Sequence, residues 1–191
     1  MRLITSVDST SGRTGERVLN IPEVTEDLSK VYSDKSLDPS EITPKAKWTA
    51  TASSEKSWGK IEKIIDGDKT NCWHTNYDEA DGKITHKDPP PYEFTVNFNE
   101  ETEFSGLRFY VRKNNYSGYF NQAEIYVSDD GTNFTKAGER KFDADTNIGA
   151  GTIVERTIFT STDSASARYV KICVSTSQSW IFIDEVMIIA E

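Results

Sequence analysis

The sequence predicts an all-β protein, and three features of its 191 residues indicate this class. Short segments that alternate apolar and polar residues recur from Trp48 to the C-terminus. Clusters of Gly, Pro, Asn, Asp and Ser separate these segments, as turns separate strands. No window of about 11 or more residues has the apolar period of an amphipathic helix. We therefore expect a β-sandwich.

Residues 1–45 differ from the rest of the chain. They are rich in Ser, Thr, Asp and Glu and contain a single aromatic residue, Tyr32. This composition predicts a mostly irregular N-terminal extension, either a linker or the remnant of a preceding domain. The segment ERVLNI is compatible with a strand, but no separate core is expected. Residues 46–191 form the predicted domain. A domain of about 150 residues buries enough surface to fold without a metal or a disulfide.

The segment YEFTVNF, residues 92–98, alternates without a break and predicts a half-buried strand. Its inward face carries Tyr92, Phe94, Val96 and Phe98. GLRFYVRK repeats the pattern, with Leu107, Phe109 and Val111 on the inward face.

Further along the chain, AEIYVS predicts a strand with Ile125 and Val127 inward. SDDGTNF follows it and supplies the Asp-Gly turn of a hairpin. RYVKICVS and WIFIDEVMIIAE predict two further strands near the C-terminus. From Trp48 to the C-terminus, the sequence thus predicts a succession of strands and turns.

The charge balance limits the classes of partner. The chain has 22 basic and 31 acidic residues and a net charge of −9. Nucleic acids and anionic membranes are bound through clustered Lys and Arg, so this balance argues against both. No run approaches the roughly 20 apolar residues of a membrane helix, and we expect no membrane insertion. Neutral partners or cations fit better.

The two cysteines, Cys72 and Cys173, lie about a hundred residues apart. They are either two free thiols or one long-range disulfide, and the sequence leaves both possibilities open. A zinc site of Cys72, His74 and His86 would have suitable ligand types. It is a weak alternative because Cys-x-His followed twelve residues later by one His is not a recognised zinc spacing.

Seven segments, taken in order, carry a resemblance to a known family. They are WTATASSE, IIDGDKTNCWHT, PYEFTVNF, SGLRFYVRK, AEIYVSDDGTNF, ARYVKICVS and IDEVMIIA. From about Trp48 to the end, the chain resembles the coagulation factor V/VIII type C, or discoidin-like, domain, and is most similar to bacterial carbohydrate-binding module family 32. The resemblance implies an eight-stranded jelly-roll β-sandwich with a galactose-binding-domain-like fold. It does not cover residues 1–45.

The resemblance also implies one structural Ca²⁺ in the loop IIDGDKTNCWHT. Calcium takes six to eight oxygen ligands, and a tight Asp-Gly-Asp turn directs several oxygens to one point. Position by position, the ligands are the Lys63 carbonyl, the Asp66 carboxylate, the Asp68 main-chain oxygen, the Asp184 carbonyl and the Glu185 carboxylate. Asn71 stands where the family has Thr, and its amide oxygen is a possible substitute. The alternative is a simple turn with solvated carboxylates.

The family's sugar site lies in loops at one end of the sandwich, where aromatic rings stack on sugars and polar groups bind hydroxyls. The position of the family's Arg is Arg112, and that of its Asn falls near Ser117, with Asn114 and Asn115 as substitutes. Trp180 lies five residues before Glu185, where the family has an aromatic residue, and His74 follows the motif tryptophan. Each of these residues could instead have a purely structural role. Weaker candidates are Trp58, Tyr77, Tyr116 and Tyr119, whereas Trp48 and Trp73 are assigned to the core.

The expected function is a non-catalytic carbohydrate-binding module, monomeric in isolation, that binds galactoside or N-acetylhexosamine glycans. It would dock a parent protein, such as a bacterial chitobiase-like glycoside hydrolase, at an extracellular, periplasmic or cell-surface location. The alternative is a protein- or lipid-binding discoidin adhesion domain, but neither cysteine is terminal and the charge is acidic. No G-x-S-x-G, H-E-x-x-H or phosphate-binding Gly loop indicates catalysis.

Overall fold

A computed structural model describes residues 3–4, 18–19, 41–42, 46–80, 83–112, 120–142, 152–175 and 180–190. Its strands are β1 (Leu3–Ile4), β2 (Val18–Leu19), β3 (Glu41–Ile42), β4 (Thr49–Ala52), β5 (Trp73–His74), β6 (Tyr77–Ala80), β7 (Lys83–His86), β8 (Tyr92–Phe104), β9 (Gly106–Arg112), β10 (Gln122–Ser128), β11 (Thr135–Lys141), β12 (Ile153–Phe159), β13 (Ala165–Ser175), β14 (Phe182–Ile183) and β15 (Glu185–Ile189). A short 3₁₀ helix spans Ile61–Ile65.

Two antiparallel sheets form the body of the domain. The five-stranded sheet has the order β11-β10-β13-β8-β4, and the four-stranded sheet has the order β12-β9-β15-β3. The prediction of an all-β jelly-roll sandwich is confirmed. The two sheets contain nine strands. One of them, β3, is only two residues long and lies at the edge of the second sheet; without it, the count is the eight strands that the resemblance implies.

The core lies between the two sheets and consists largely of the apolar residues that alternate with polar ones along the strands. Tyr92, Phe94, Val96 and Phe98 are all buried, as predicted for one face of β8. The three inward residues of β9 are buried as well, and Trp48 and Trp73 belong to the same core cluster. Val127 is only half-buried at the margin of this cluster, close to the point where the β10–β11 register shifts.

The C-terminal segment departs from the single strand that was predicted for WIFIDEVMIIAE. Its first part, β14, pairs with β5, whereas β15 lies between β9 and β3. Asp184 separates the two strands, and its backbone N–H donates to the Tyr110 carbonyl at 2.7 Å. Because of this break, the segment contributes β15 to the four-stranded sheet and β14 to a small separate sheet with β5.

The N-terminal region contributes three short strands among its described residues. β1 pairs with β2, which lies in ERVLNI, the segment compatible with a strand. β3 pairs with the last strand, β15, so the four-stranded sheet begins shortly before residue 46. Within the described residues, no helix has the length and apolar character needed to cross a membrane.

Cys72 and Cys173 are half-buried thiols that are not joined in a disulfide. The Cys173 thiol donates to Glu93 Oε1 at 3.4 Å. Burial and the neighbouring Glu93 carboxylate raise the pKa of Cys173 to about 12. This thiol therefore stays protonated at neutral pH and is a poor nucleophile.

Candidate functional site

The two-residue strand β5 lies outside the two main sheets, and we call β5, β14 and the turn of residues 56–59 the loop end of the sandwich. On one side it pairs with β14. On the other side it binds the turn of residues 56–59: the Lys56 N–H donates to the His74 carbonyl at 2.8 Å, and the His74 N–H donates to the Gly59 carbonyl at 3.1 Å. His74 is thus fixed by backbone contacts on both sides, which gives its side chain a defined direction.

Five aromatic side chains gather around this strand, and we call Trp58, His74, Tyr77, Trp180 and Phe182 the aromatic cluster. The ring centroid of His74 lies 5.0 Å from that of Trp58, 5.1 Å from Tyr77 and 4.6 Å from Phe182. Tyr77 in turn lies 6.1 Å from Trp180. His74 and Phe182 are buried, Tyr77 and Trp180 are half-buried, and Trp58 is 48% exposed. The cluster therefore runs from the core to the surface.

The imidazole of His74 is neutral at physiological pH. Burial lowers its pKa to about 4 and Lys56 contributes in the same direction, although a hydrogen bond to the Thr75 carbonyl opposes the shift. That bond joins Nδ1 to the carbonyl oxygen at 2.5 Å. Because a carbonyl only accepts, Nδ1 carries the ring proton and Nε2 is left as an acceptor. His74 can thus accept a hydrogen bond from a hydroxyl group.

Thr75 anchors the segment that carries Trp180. Its N–H donates to the Ile181 carbonyl, and the Ile181 N–H donates to Thr75 Oγ1, both at 3.1 Å. Ser54 anchors the other side, since its carbonyl accepts from Trp73 Nε1 at 2.9 Å and its Oγ accepts from the Asn76 N–H at 2.8 Å. These buried contacts hold the loop ends in place and thereby position the rings.

The sequence-predicted sugar residues divide into two groups. Trp58, His74 and Trp180 come together in the aromatic cluster, and the weaker candidate Tyr77 joins them. Arg112 ends strand β9, but its side chain lies outside the described residues. The remaining candidates, Asn114, Asn115, Tyr116, Ser117 and Tyr119, also lie outside them.

Two members of the site were missed by the sequence reasoning. Phe182 was assigned to a continuous strand, yet it packs on His74. Lys56 places its ammonium 4.1 Å from the centroid of the Tyr77 ring and donates to the Tyr77 carbonyl. A signal for Lys56 was its position in the aromatic-containing loop SSEKSWGK, whereas no local pattern marked Phe182.

The Asp-Gly-Asp loop follows the 3₁₀ helix, whose Ile61, Ile64 and Ile65 are buried. Gly67 has a φ of 81°, in the region that glycine adopts most readily. Asp66 Oδ1 accepts from the Asp68 N–H at 2.8 Å. Asn71 Nδ2 donates to Asp66 Oδ2 at 2.8 Å and to Asp68 Oδ2 at 3.1 Å. The loop is thus folded back on itself, with carboxylate and amide groups facing one another.

Glu185 reaches this loop from strand β15. Its Oε2 accepts from the Gly67 N–H at 2.9 Å, and the residue is fully buried. Burial raises the pKa of Glu185 to about 8, and the negative charge of Asp66 adds to the increase, while the Gly67 hydrogen bond opposes it. Two buried oxygens beside the loop, Glu185 Oε1 and Asn71 Oδ1, have no hydrogen-bond partner among the described residues.

Other predicted metal ligands have different contacts. Lys63 Nζ donates to the Trp58 carbonyl at 2.8 Å, and the Asp68 carbonyl accepts from the Asn71 N–H at 3.4 Å. Among the residues that the structure describes, no three His, Cys, Asp or Glu side chains converge as a metal-binding group. The zinc alternative gains no support, because the Nδ1 of His74 is engaged and the side chain of His86 lies outside the described part.

Comparisons with known proteins relate this architecture to other chains. Galactose oxidase from Gibberella zeae is 30% identical over 145 residues, which are 73% of this chain and 19% of that protein. An A type blood N-acetyl-alpha-D-galactosamine deacetylase from Flavonifractor plautii is 28% identical over 93 residues, 47% of this chain and 11% of that protein. The chain thus spans about a fifth or less of the length of the curated relatives it matches.

Solved structures share the fold. The family 32 carbohydrate-binding module of Clostridium perfringens NanJ, in complex with galactose, has a TM-score of 0.61 at 21% identity, over 78% of this chain and 97% of that one. CpGH89CBM32-5 from Clostridium perfringens, in complex with GalNAc-β-1,3-galactose, has a TM-score of 0.63 at 24% identity, over 79% of this chain and all of that one. At these identities the likeness shows the fold alone.

A sequence profile of the F5/8 type C domain matches residues 49–186. The matched region is well over half of the chain and begins with β4, at the start of the sandwich. It contains the Asp-Gly-Asp loop and all five residues of the aromatic cluster. The chain therefore belongs to the F5/8 type C domain family, as the seven ordered segments of its sequence predicted.

Proposed function

We propose that the domain is a non-catalytic module that binds glycans of the galactoside or N-acetylhexosamine type at the aromatic cluster. The observation that carries the proposal is the cluster itself, with a half-exposed Trp58 and a neutral His74 held side by side at the loop end. An aromatic face together with a fixed hydroxyl-binding group is what sugar recognition requires.

The residues of the proposed site have two roles, stacking on the sugar ring and hydrogen bonding to its hydroxyl groups. Trp58 and Trp180 offer ring faces to the apolar C–H face of a sugar. His74 Nε2 accepts from a hydroxyl, since the other ring nitrogen donates to Thr75. From the sequence we also assign hydrogen bonding with the sugar to Arg112, Asn114, Asn115 and Ser117, whose side chains lie outside the described residues; an Arg side chain can bond two adjacent hydroxyls.

The proposed affinity for a single sugar is in the high micromolar to millimolar range, roughly 4–6 kcal/mol. Display of several modules, or attachment to an enzyme, would raise the effective affinity. The relatives fit such an arrangement, because the matched segment is 19% of a galactose oxidase. We accordingly place the chain within a larger extracellular, periplasmic or cell-surface protein, such as a bacterial glycoside hydrolase.

We further propose a structural Ca²⁺ between the Asp-Gly-Asp loop and β15. Support comes from Glu185 Oε1 and Asn71 Oδ1, two buried oxygens without a hydrogen-bond partner among the described residues. Asp66 would supply a second carboxylate, and the carbonyls of Lys63, Asp68 and Asp184 would complete an oxygen shell. Such a shell needs only two carboxylates, because calcium accepts amide and carbonyl oxygens. A bound cation would neutralise the buried Glu185 and hold the loop to the sheet.

A glycan array probed with the oligomerised full chain tests the glycan proposal. We expect binding to galactosides or N-acetylhexosamines that is lost in Trp180→Ala and in Arg112→Ala. Tyr169→Ala is a matched control, because Tyr169 is a half-buried aromatic residue on strand β13, which pairs with β8 and β10 rather than with β5 or β14. The absence of binding to every glycan, together with a tight protein partner in a pull-down, would overturn the proposal in favour of an adhesion domain.

A further inference from the structure

Lys56 lies at the margin of the aromatic cluster and is held there by both its backbone and its side chain. Its N–H donates to the His74 carbonyl at 2.8 Å. Its ammonium donates to the Tyr77 carbonyl and lies 4.1 Å from the centroid of the Tyr77 ring. The side chain is half-buried. A positive charge is thus fixed beside the rings to which we assign sugar binding.

Glu55 and Asp78, the carboxylates next to Lys56 and Tyr77 in the sequence, are each paired with another lysine. Glu55 forms an ion pair with Lys60, and this contact holds the pKa of Glu55 below its usual value. Asp78 Oδ1 lies 3.6 Å from Lys87 Nζ. Among the described residues, no carboxylate forms an ion pair with Lys56. In a chain of net charge −9, this ammonium is therefore available to an external anion.

Lys56 also has hydrogen-bond donors that are unused within the described part of the chain and that an external anion could occupy. An ammonium has three N–H donors, of which the Tyr77 carbonyl takes one. A neutral sugar that covered the cluster would displace water from this charge and offer it only uncharged hydroxyl oxygens. A carboxylate would bring an opposite charge to the ammonium, so that donor and acceptor are both ionised and Coulomb attraction adds to the hydrogen bond.

We propose that the aromatic cluster prefers an acidic sugar, and that Lys56 binds the sugar's carboxylate. The inference rests on the proposed glycan function and names the ligand class of the same site. The carboxylate could belong to a hexuronic acid or to a sialic acid, since both present the same charged group on a pyranose ring. Lys56 is in either case a specificity-determining residue.

The test is a calorimetric or NMR titration of the full chain with four monosaccharides. Galactose, galacturonic acid and galacturonic acid methyl ester form a series in which the ester keeps the shape of the acid and removes its charge. N-acetylneuraminic acid distinguishes the second source of the carboxylate. We expect galacturonic acid or N-acetylneuraminic acid to bind at least fivefold more tightly than the neutral sugars at low salt. The advantage should shrink as salt is added.

Variants then assign the preference to Lys56. Lys56→Gln should bring the acid and its methyl ester to within about twofold of each other, whereas Lys56→Arg should retain part of the preference. Lys171→Gln is the matched control, because it removes a half-buried ammonium that likewise lies over a tyrosine ring, 5.3 Å from the centroid of Tyr126, without releasing Glu55. This control should keep the preference.

The possible failures can be told apart. Equal binding of galacturonic acid and its ester by the wild type, with no advantage for N-acetylneuraminic acid, would overturn the acidic-sugar inference and leave glycan binding intact. An undiminished preference in Lys56→Gln would overturn the role of Lys56. Absence of binding to all four sugars and to every arrayed glycan would remove the proposed function itself. If Lys56→Gln does not fold, the comparison of acid with ester on the wild type still decides the ligand class.

Discussion

Gly59 lies so close to His74 that a Cβ added to the glycine would come within 2.8 Å of the His74 Cβ and 2.9 Å of its backbone nitrogen. This close approach allows the hydrogen bond from the His74 N–H to the Gly59 carbonyl. Any side chain at position 59 would push the turn of residues 56–59 away from β5. The packing of Trp58 on the imidazole thus depends on the absence of a side chain one residue later.

Gly59→Ala is therefore expected to damage both stability and binding. Overpacking of this kind costs roughly 1–3 kcal/mol, and displacement of Trp58 should weaken glycan binding by about tenfold. Urea unfolding and titration with the sugar identified on the array would measure the two effects. Ser57→Ala, an exposed neighbour in the same turn, is the control and should change neither. Unaltered binding in Gly59→Ala would show that the turn does not position the site.

The buried His74 predicts a pH dependence of stability. Its pKa is lowered to about 4 in the folded state from 6.5 in the unfolded state, so the unfolded chain binds the proton more readily between these values. The contribution of the neutral imidazole to the free energy of unfolding is fully present above pH 6.5. It is lost as the pH drops towards 4, by about 3 kcal/mol in total. Urea unfolding at intervals from pH 4.5 to 7.5 would measure this slope.

Two histidine variants isolate the contribution. The sequence has two histidines, so His86→Gln is the matched control for His74→Gln. The difference in unfolding free energy between the wild type and His74→Gln should shrink as the pH falls, whereas the difference for His86→Gln should stay flat. Parallel pH curves for the wild type and His74→Gln would contradict the burial of a neutral imidazole.

Strands β8, β9, β10 and β13 could be read from the sequence because each is long enough to show its own period, whereas β11 and β12 were not predicted from theirs. Strand β8 alternates over Tyr92, Phe94, Val96 and Phe98, and β9 over its own inward residues, without reference to any partner strand. The Asp-Gly turn after β10 was equally local, since Asp130 accepts from the backbone N–H groups of Thr132 and Asn133 at 2.8 Å.

The contacts of the site could be predicted only in part. Its central strands, β5 and β14, are two residues long and have no detectable period. Phe182 packs on His74 across more than a hundred positions of sequence, and only the pairing of β5 with β14 brings them together. Trp58, His74 and Trp180 were found because the family resemblance and the aromatic loops marked them, whereas Lys56 had no mark beyond its loop.

The proposed calcium site predicts a cation-dependent stability. In chelator, Glu185→Gln should be at least as stable as the wild type at neutral pH, because the amide can still accept from Gly67 and, unlike the carboxyl with its raised pKa, does not have to take up a proton on folding. Added Ca²⁺ should raise the melting temperature of the wild type by several degrees and leave Glu185→Gln unchanged. Differential scanning calorimetry of both proteins, with and without Ca²⁺, would measure these shifts.

Asp129→Asn is the control for a general effect of removing a carboxylate, because Asp129 is exposed in the hairpin turn remote from β15. It should show the same calcium response as the wild type. Asp66→Asn should lose most of that response. A wild-type protein whose melting temperature ignores Ca²⁺, and which shows no heat of calcium binding, would leave the Asp-Gly-Asp segment as a turn with solvated carboxylates.

Trp58 allows binding to be separated from folding. Its side chain is 48% exposed, so Trp58→Ala should change the unfolding free energy little, although it removes the outermost ring of the cluster. Loss of stacking should weaken sugar binding by about five- to thirtyfold, roughly 1–2 kcal/mol. Trp58→Phe is the matched control and should recover most of the affinity, because stacking needs a flat aromatic face more than an indole N–H. Titration of the three proteins with one sugar would measure the order wild type, Phe, Ala. Equal affinities would show that the sugar contacts the inner rings alone, and weak binding by the Phe variant would assign the interaction to the indole N–H rather than to the ring face.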